Sequence, residues 1–191
     1  MKLKDALTNR RSIRRYKQRE VPEKILDEII DLARFAASGA NGQQLRYIVI
    51  QSDSLVKSVF DHVAWAAYIK PLRTPVWNES APKCFIAVTA PSAKVDSVLA
   101  DAGAAIQSLM LAAHGKGLGT CWIGAFDRIK VNELLAMPNN RQVIFLVAIG
   151  YPDEYPIAED VAEGENIKYY LDEKGRLHVP KIRAKDLVEK F

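Results

Sequence analysis

The stretch DAGAAIQSLMLAAHGKGLGTCWIGAF, residues 101–126, decides how the rest of the chain is read. Its first half belongs to a long helix predicted over about 94–116, in which Ala102, Gly103, Ala105 and Ala112 keep one side slim. Small residues let a second helix approach closely. From Gly117 to Gly124 the chain turns out of that helix into a short strand through Thr120 and Cys121. Gly115, Gly117 and Gly119 have part of the spacing of a dinucleotide loop, but they follow a helix, whereas that fingerprint follows a strand and opens a helix. No such loop is assigned.

Working outward, Tyr47–Ile50 and Phe85–Val88 read as strands, and Val143–Ile149 is an apolar, β-branched strand core. A helix is expected over 3–9. A second starts at Val21-Pro22-Glu23, with Ile25, Ile29, Leu32, Ala33 and Ala36 as its apolar stripe. A third is expected over about 53–69, with Leu55, Val56, Val59, Phe60, Val63 and Ala67 inward, and Asp127 caps a fourth through Met137. Between the second helix and the first strand, Ser38-Gly39-Ala40-Asn41-Gly42-Gln43-Gln44 is a small, polar loop that lets backbone donors approach a ligand. From Tyr151 the pattern weakens, and 151–191 reads as an arm over the body or over a partner subunit, so that 1–191 is a single domain.

The 191 residues, 49% hydrophobic and 26% charged, suit one well-buried domain. No segment approaches the roughly 18 to 20 apolar residues of a membrane span, and the start lacks the apolar core of a signal peptide. A cytoplasmic protein with no membrane partner is expected. Cys84 and Cys121 stand in apolar surroundings and read as buried, reduced thiols. His62, His114 and His178 lack metal-ligand spacing, and neither a Walker loop nor a nucleophile elbow is present. His114 reads as a packed or capping residue of its helix.

Charge is concentrated at the start. Of 27 basic and 23 acidic residues, eight basic and one acidic fall within the first 19 positions, leaving 19 against 22 for the rest, so the formal net charge of +4 comes from this end. Arg10-Arg11-Ser12-Ile13-Arg14 is its densest part. Guanidinium forks with a hydroxyl between them suit phosphate oxygens, although a solvated helix end would carry the same residues. A nucleic-acid surface would spread its cations along a face and interleave aromatics, so no nucleic-acid partner is expected. Phosphate donors and a small polar loop, without an acid–base team, suit a cofactor that brings its own reactivity.

Taken in order, RRSIR at 10–14, SGANGQ at 38–43, the 101–126 stretch and VAIGYP at 147–152 resemble the FMN-dependent nitroreductase family over roughly residues 3–152. The resemblance implies an α+β fold with a central mixed β-sheet of four to five strands flanked by helices, assembled as an intertwined homodimer with FMN at the interface. It implies that Arg10 and Ser12 bind the FMN phosphate with Arg11 adjacent, and that Arg14 lies by the pyrimidine edge. Ser38, Gly39 and Asn41, with Gln43 nearby, would reach the FMN of the other subunit. Trp122, Ile123, Gly124 and Ala125 would run along the isoalloxazine, with Lys181 and Arg183 closing on the phosphate from the tail. Relatives have Pro-Trp where this chain has Gln44-Leu45, and often an acid where Gly124 stands; both departures bear on specificity. Trp65, Tyr68 and Trp77 read as packing residues, with a substrate lid as the alternative.

The activity so implied is ping-pong transfer of hydride from NADH or NADPH through FMN to a small, flat acceptor such as a nitroaromatic or a quinone. Reductive dehalogenation, flavin fragmentation and flavin binding without turnover are the alternatives.

Overall fold

A computed structural model describes residues 2–65 and 68–191. Four strands, β1 (Arg46–Ile50), β2 (Cys84–Pro91), β3 (Gly119–Ile123) and β4 (Arg141–Gly150), form one sheet in the order β1-β2-β4-β3. Every neighbouring pair in it is antiparallel, which corrects the expected mixed sheet. The reason is topological: β2 and β3 point the same way, but β4 inserts between them and pairs with both. The parallel element at this sheet is a single bridge, Ser12 to Thr120, along the free side of β3.

Both faces are covered. Cys84, Ile86 and Val88 of β2 face helices α2 (Glu23–Ala33) and α4 (Leu99–Gly115), while Phe85 and Ala87 face the side packed by α3 (Asp53–Phe60) and α5 (Arg128–Leu134). The register slips between Val88 and Thr89, where Ile144 is the extra residue on β4. Of the slim side predicted for α4, Ala102 is buried against the α2 side of the sheet with Ala112 partly buried beside it, Ala105 is buried, and Gly103 faces the Trp122 ring.

Several boundaries differ from expectation for local reasons. On α2 the buried stripe is Leu26, Ile29 and Ala33; Leu32 is half-exposed, and Ala36 lies beyond the helix end. α3 stops at Phe60 rather than near residue 69, because Val63 bridges Phe126 and Ala64 N–H donates to Ala125 O at 2.9 Å, drawing the chain to the exit of β3. Val56 and Val59 are buried and Leu55, Phe60 and Val63 pack beside them, whereas Ala67 lies outside the described residues. Two short 3-10 turns precede α4, and α5 ends at Leu134 with its Asp127 cap accepting from Lys130 N–H at 3.0 Å. The first helix, α1, spans Leu3–Asn9.

The arm has structure of its own. β5 (Ile157–Val161), β6 (Tyr170–Leu171) and β7 (Leu177–Ile182) form a small sheet in the order β5-β7-β6, seated on the body through buried Leu177. No helix among the described residues is long and apolar enough to cross a membrane.

Candidate functional site

The Arg10–Arg14 segment leaves α1 as an extended strand along β3. Ile13 N–H donates to Thr120 O at 2.9 Å, Tyr16 N–H to Ser80 O at 3.0 Å, and Asp153 N–H to Arg15 O at 2.9 Å. Close approach requires two glycines. A Cβ on Gly119 would sit 2.7 Å from Ile13 Cγ1, and one on Gly150 would sit 2.9 Å from the Tyr16 ring. Buried Glu154 holds the segment from below, its Oε1 accepting from Arg14 N–H at 2.5 Å and Arg15 N–H at 3.2 Å, with Arg73 Nε 3.8 Å from Oε2.

This backbone presents its arginines to two cavities on adjoining residues of β3. The first, of about 480 Å³, is lined by Arg10, Arg11, Thr120, His114, Glu154 and Tyr155 among others. The second, of about 150 Å³, is lined by Arg14, Trp65, Cys121, the turn from Trp122 to Ala125, and Tyr169. In the first, Arg10 Nε and Nη1 and Arg11 Nε are shielded from solvent and have no hydrogen-bond partner among the described residues. Buried donors are normally satisfied, and a charged one left alone costs most. Burial and then the neighbouring Arg11 charge hold the Arg10 guanidinium below its ordinary pKa. Both effects would be relieved by an anion.

The remaining predicted residues fall as follows. Arg11 also ties off α1, donating from its guanidinium to Arg10 O and Thr8 O. Ser12 stands at the bridge to Thr120, between the two arginines. Arg14 lies over the Tyr169 ring, 5.1 Å from its centroid. Trp122 packs edge-on against Phe145 at 5.1 Å, Ile123 is buried beneath it, and Gly124 and Ala125 are exposed at the cavity mouth. Lys181 of β7 lies close enough to the arginines that partial burial, then Arg11, then Arg10 lower its pKa. Arg183 is not brought there; its Nε pairs with Asp186 Oδ2 at 2.9 Å. Trp65 and Trp77 pack on Phe60 at 5.8 and 5.7 Å, while Tyr68 is exposed beside Tyr169.

Ser38, Gly39, Asn41 and Gln43 lie elsewhere. Ser38 Oγ donates to Asp101 Oδ2 at 2.6 Å and accepts from Gln43 N–H at 2.9 Å, and Gly39 N–H donates to Asp101 Oδ1 at 3.0 Å. These bonds, that from Ser38 first, hold the Asp101 carboxyl below its ordinary pKa. Ala40, Asn41 and Gln43 adopt left-handed φ of 48°, 53° and 45°, a costly run for residues with side chains. Asp101 opens α4 and His114 closes it, so at 1.5 Å per residue the loop and the arginines are about 20 Å apart along the helix axis. They do not share a site within one chain.

The sequence does not single out Glu154, Asp101 and Tyr169, and it presents His114 as a packed or capping residue of its helix. The first three are lone polar residues whose partners lie about 60 to 155 positions away, and no local spacing marks them.

The nitroreductase family profile matches residues 7–151. The chain belongs to the nitroreductase family. Among its relatives, a protein of Methanothermobacter thermautotrophicus provisionally named NADH dehydrogenase/NAD(P)H nitroreductase is 29% identical over 173 residues, covering 87% of this chain and 86% of its own. The crystal structure of a nitroreductase family protein from Clostridium novyi NT is 28% identical with a TM-score of 0.69, over 80% of this chain and 86% of the other. An FMN-dependent nitroreductase from Clostridium difficile R20291 is 27% identical with a TM-score of 0.66, over 80% and 88%.

The arm that carries Lys181 has a titratable joint. His178 on β7 lies between two acceptors, its Nδ1 meeting Glu159 Oε1 and its Nε2 standing 3.1 Å from Asp172 Oδ2, with the Tyr170 ring stacked on it at 5.0 Å. Only the imidazolium can donate to both carboxylates, and Asp172 first and Glu159 second raise its pKa. A raised folded-state pKa gives stability that is complete below the unfolded value and lost as pH rises through the folded one. As pH rises above the ordinary histidine value, amide protection factors in 157–182 are therefore expected to fall in the wild type. His178→Gln is expected to start low and stay flat; a protection factor independent of pH in the wild type contradicts the joint.

Proposed function

We propose that this chain is an FMN-dependent NAD(P)H oxidoreductase that reduces a small, flat acceptor such as a nitroaromatic or a quinone by a ping-pong mechanism. The observation that carries this reading is the set of buried, unpartnered guanidinium donors of Arg10 and Arg11 beside a second cavity with aromatic walls. A cationic end next to an end walled by Trp65, Trp122 and Tyr169 matches the two ends of FMN, phosphate and ring system. The FMN-dependent Clostridium difficile relative and the provisional NAD(P)H nitroreductase name of the archaeal one support it.

Arg10 and Ser12 would hold the phosphate, with Arg11 and Lys181 adding charge around it, and Glu154 keeps their backbone in register. Arg14 would face the pyrimidine edge, and the exposed Gly124–Ala125 turn would lie along the isoalloxazine. A bound FMN would supply the hydride and electron chemistry between nicotinamide and acceptor, so the protein needs no nucleophile of its own. The Ser38–Gln43 loop would serve the FMN of a second copy in a homodimer, a role supported by its separation from the arginines of its own chain.

Anaerobic titration of the FMN-loaded protein with NADH and with NADPH tests the reading. The 450 nm region, roughly where flavins absorb, is expected to bleach and then recover on adding the acceptor; persistence of the oxidised spectrum with both donors overturns it. Arg14→Gln is expected to lower the FMN potential by about 20 to 40 mV, the two-electron equivalent of about 1 to 2 kcal/mol, since a fixed cation stabilises the anionic reduced form. A redox titration showing the parental potential, with affinity reduced, would make Arg14 a binding contact only.

A further inference from the structure

We propose that His114 is a proton-coupled member of the phosphate cradle: its ring is neutral when the cradle is empty and takes up a proton as a phosphate monoester enters. This rests on the FMN reading for the identity of the monoester, though the anion chemistry stands by itself. His114 lies in the last turn of α4 and lines the same cavity as Arg10, Arg11 and Thr120. Its ring is half-buried and makes no hydrogen bond among the described residues.

The charges around it explain both states. Arg10 and Arg11 face it from the segment after α1, and burial followed by these two cations disfavours the imidazolium. On α1 itself Lys4 and Asp5 point to solvent, and on α4 Lys116 is engaged with Glu28 of α2. Glu154 lines the cavity, its Oε1 accepting from Arg14 and Arg15 N–H and its buried Oε2 making no hydrogen bond among the described residues, with Arg73 Nε 3.8 Å away as its counter-charge. Lys181 adds a further cation from β7. A dianionic phosphate placed among these groups reverses the local sign: it screens the arginines from His114 and offers the ring an acceptor. The proton comes from solvent, and one is bound for each monoester that enters.

The ring carbon resonance of His114, assigned by its disappearance in His114→Gln, is titrated by NMR in the apoprotein, with inorganic phosphate, and with FMN. The midpoint is expected below that of a free histidine in the apoprotein and at least about one unit higher with either ligand, as a dianion in contact should produce. His114→Gln is expected to bind FMN equally above pH 8 and progressively more weakly below pH 7, towards the tenfold or more that a one-unit midpoint shift entails, the ratio to wild type cancelling the phosphate's own ionisation. Equal midpoints with and without bound ligand, or a pH-independent affinity ratio, overturn the proposal. A shift with inorganic phosphate in a protein that fails to bind FMN upholds the proton-coupled anion site and overturns the FMN reading; no shift with phosphate and no FMN binding overturns both.

Discussion

Arg10→Ala is expected to weaken FMN binding about 10- to 150-fold, the equivalent of roughly 1.5 to 3 kcal/mol for a lost charged hydrogen bond, while leaving the apoprotein as stable as the parent or more so. The two halves of this expectation have one cause. Arg10 Nε and Nη1 are buried without partners, and the guanidinium is disfavoured by burial and by Arg11, so the empty protein carries a cost that only an anion offsets. Removing the side chain removes the cost and the benefit together. Fluorescence titration gives the affinity, and thermal melts with and without FMN give the stabilities, the gap between them narrowing as affinity falls. Unchanged affinity sinks the phosphate assignment; a large loss of apoprotein stability would make Arg10 a structural residue. Arg11 is the useful contrast, because its guanidinium donates to Arg10 O and Thr8 O at the end of α1, and Arg11→Ala should lower both quantities.

Local chemistry made part of this molecule legible. The arginine cluster, the Pro22-led helix, the glycine turn after α4 and the apolar strand β4 each carry a short-range signal in propensity or period, and each lies where its residues indicate. Pairing is a long-range property. Nothing within β3 or β4 says that β4 inserts between β2 and β3, and that insertion makes the sheet antiparallel. The end of α3 was misplaced for the same reason: its apolar period runs on, but Val63 gains more from bridging Phe126, far along the chain. In the tail, Lys181 and Arg183 look equivalent as a basic pair. Three-dimensionally, Lys181 lies near enough to the arginines for their charge to lower its pKa, while Arg183 finds Asp186 three residues on, a local partner that spacing could have flagged.

The Ser38–Gln43 loop shows a different limit. Its composition marks it as a ligand loop, yet what shapes it is Asp101, which takes the Ser38 hydroxyl and the Gly39 N–H from the first turn of α4. Three left-handed residues with side chains are held there against their intrinsic preference. Such backbone persists where surrounding contacts over-determine it, and it is concentrated at ligand sites. α4 thus has a different polar job at each end, anchoring this loop at its start and presenting His114 to the arginines at its close.

Gly119→Ala should destabilise the apoprotein by about 1 to 3 kcal/mol, the usual cost of overpacking, and lower its melting temperature by roughly 2 to 12 °C for a chain of this size. The added Cβ would lie 2.7, 2.8 and 2.9 Å from Ile13 Cγ1, Cβ and Cγ2. A rotamer change cannot clear all three, since Ile13 Cβ is itself one of them and the side chain is buried and β-branched. The backbone must therefore give. The part that gives is the segment bearing Arg10, Ser12 and Arg14, whose only rung on β3 is the Ser12–Thr120 bridge with its Ile13-to-Thr120 hydrogen bond. FMN affinity should fall along with stability, although Gly119 offers no side chain to any ligand. Gly164→Ala separates this effect from ordinary glycine strain: Gly164 has a φ of 83°, open space around it and no place in the lining of either cavity, so that variant should lose about 1 kcal/mol and keep its FMN affinity. Combining Gly119→Ala with Ile13→Ala should recover part of the affinity by restoring the space, a coupling that independent sites would not show. If Gly119→Ala melts and binds FMN like the parent, the arginine segment does not owe its position to this contact, and its register comes from Glu154 and the backbone bonds of Ile13, Arg15 and Tyr16.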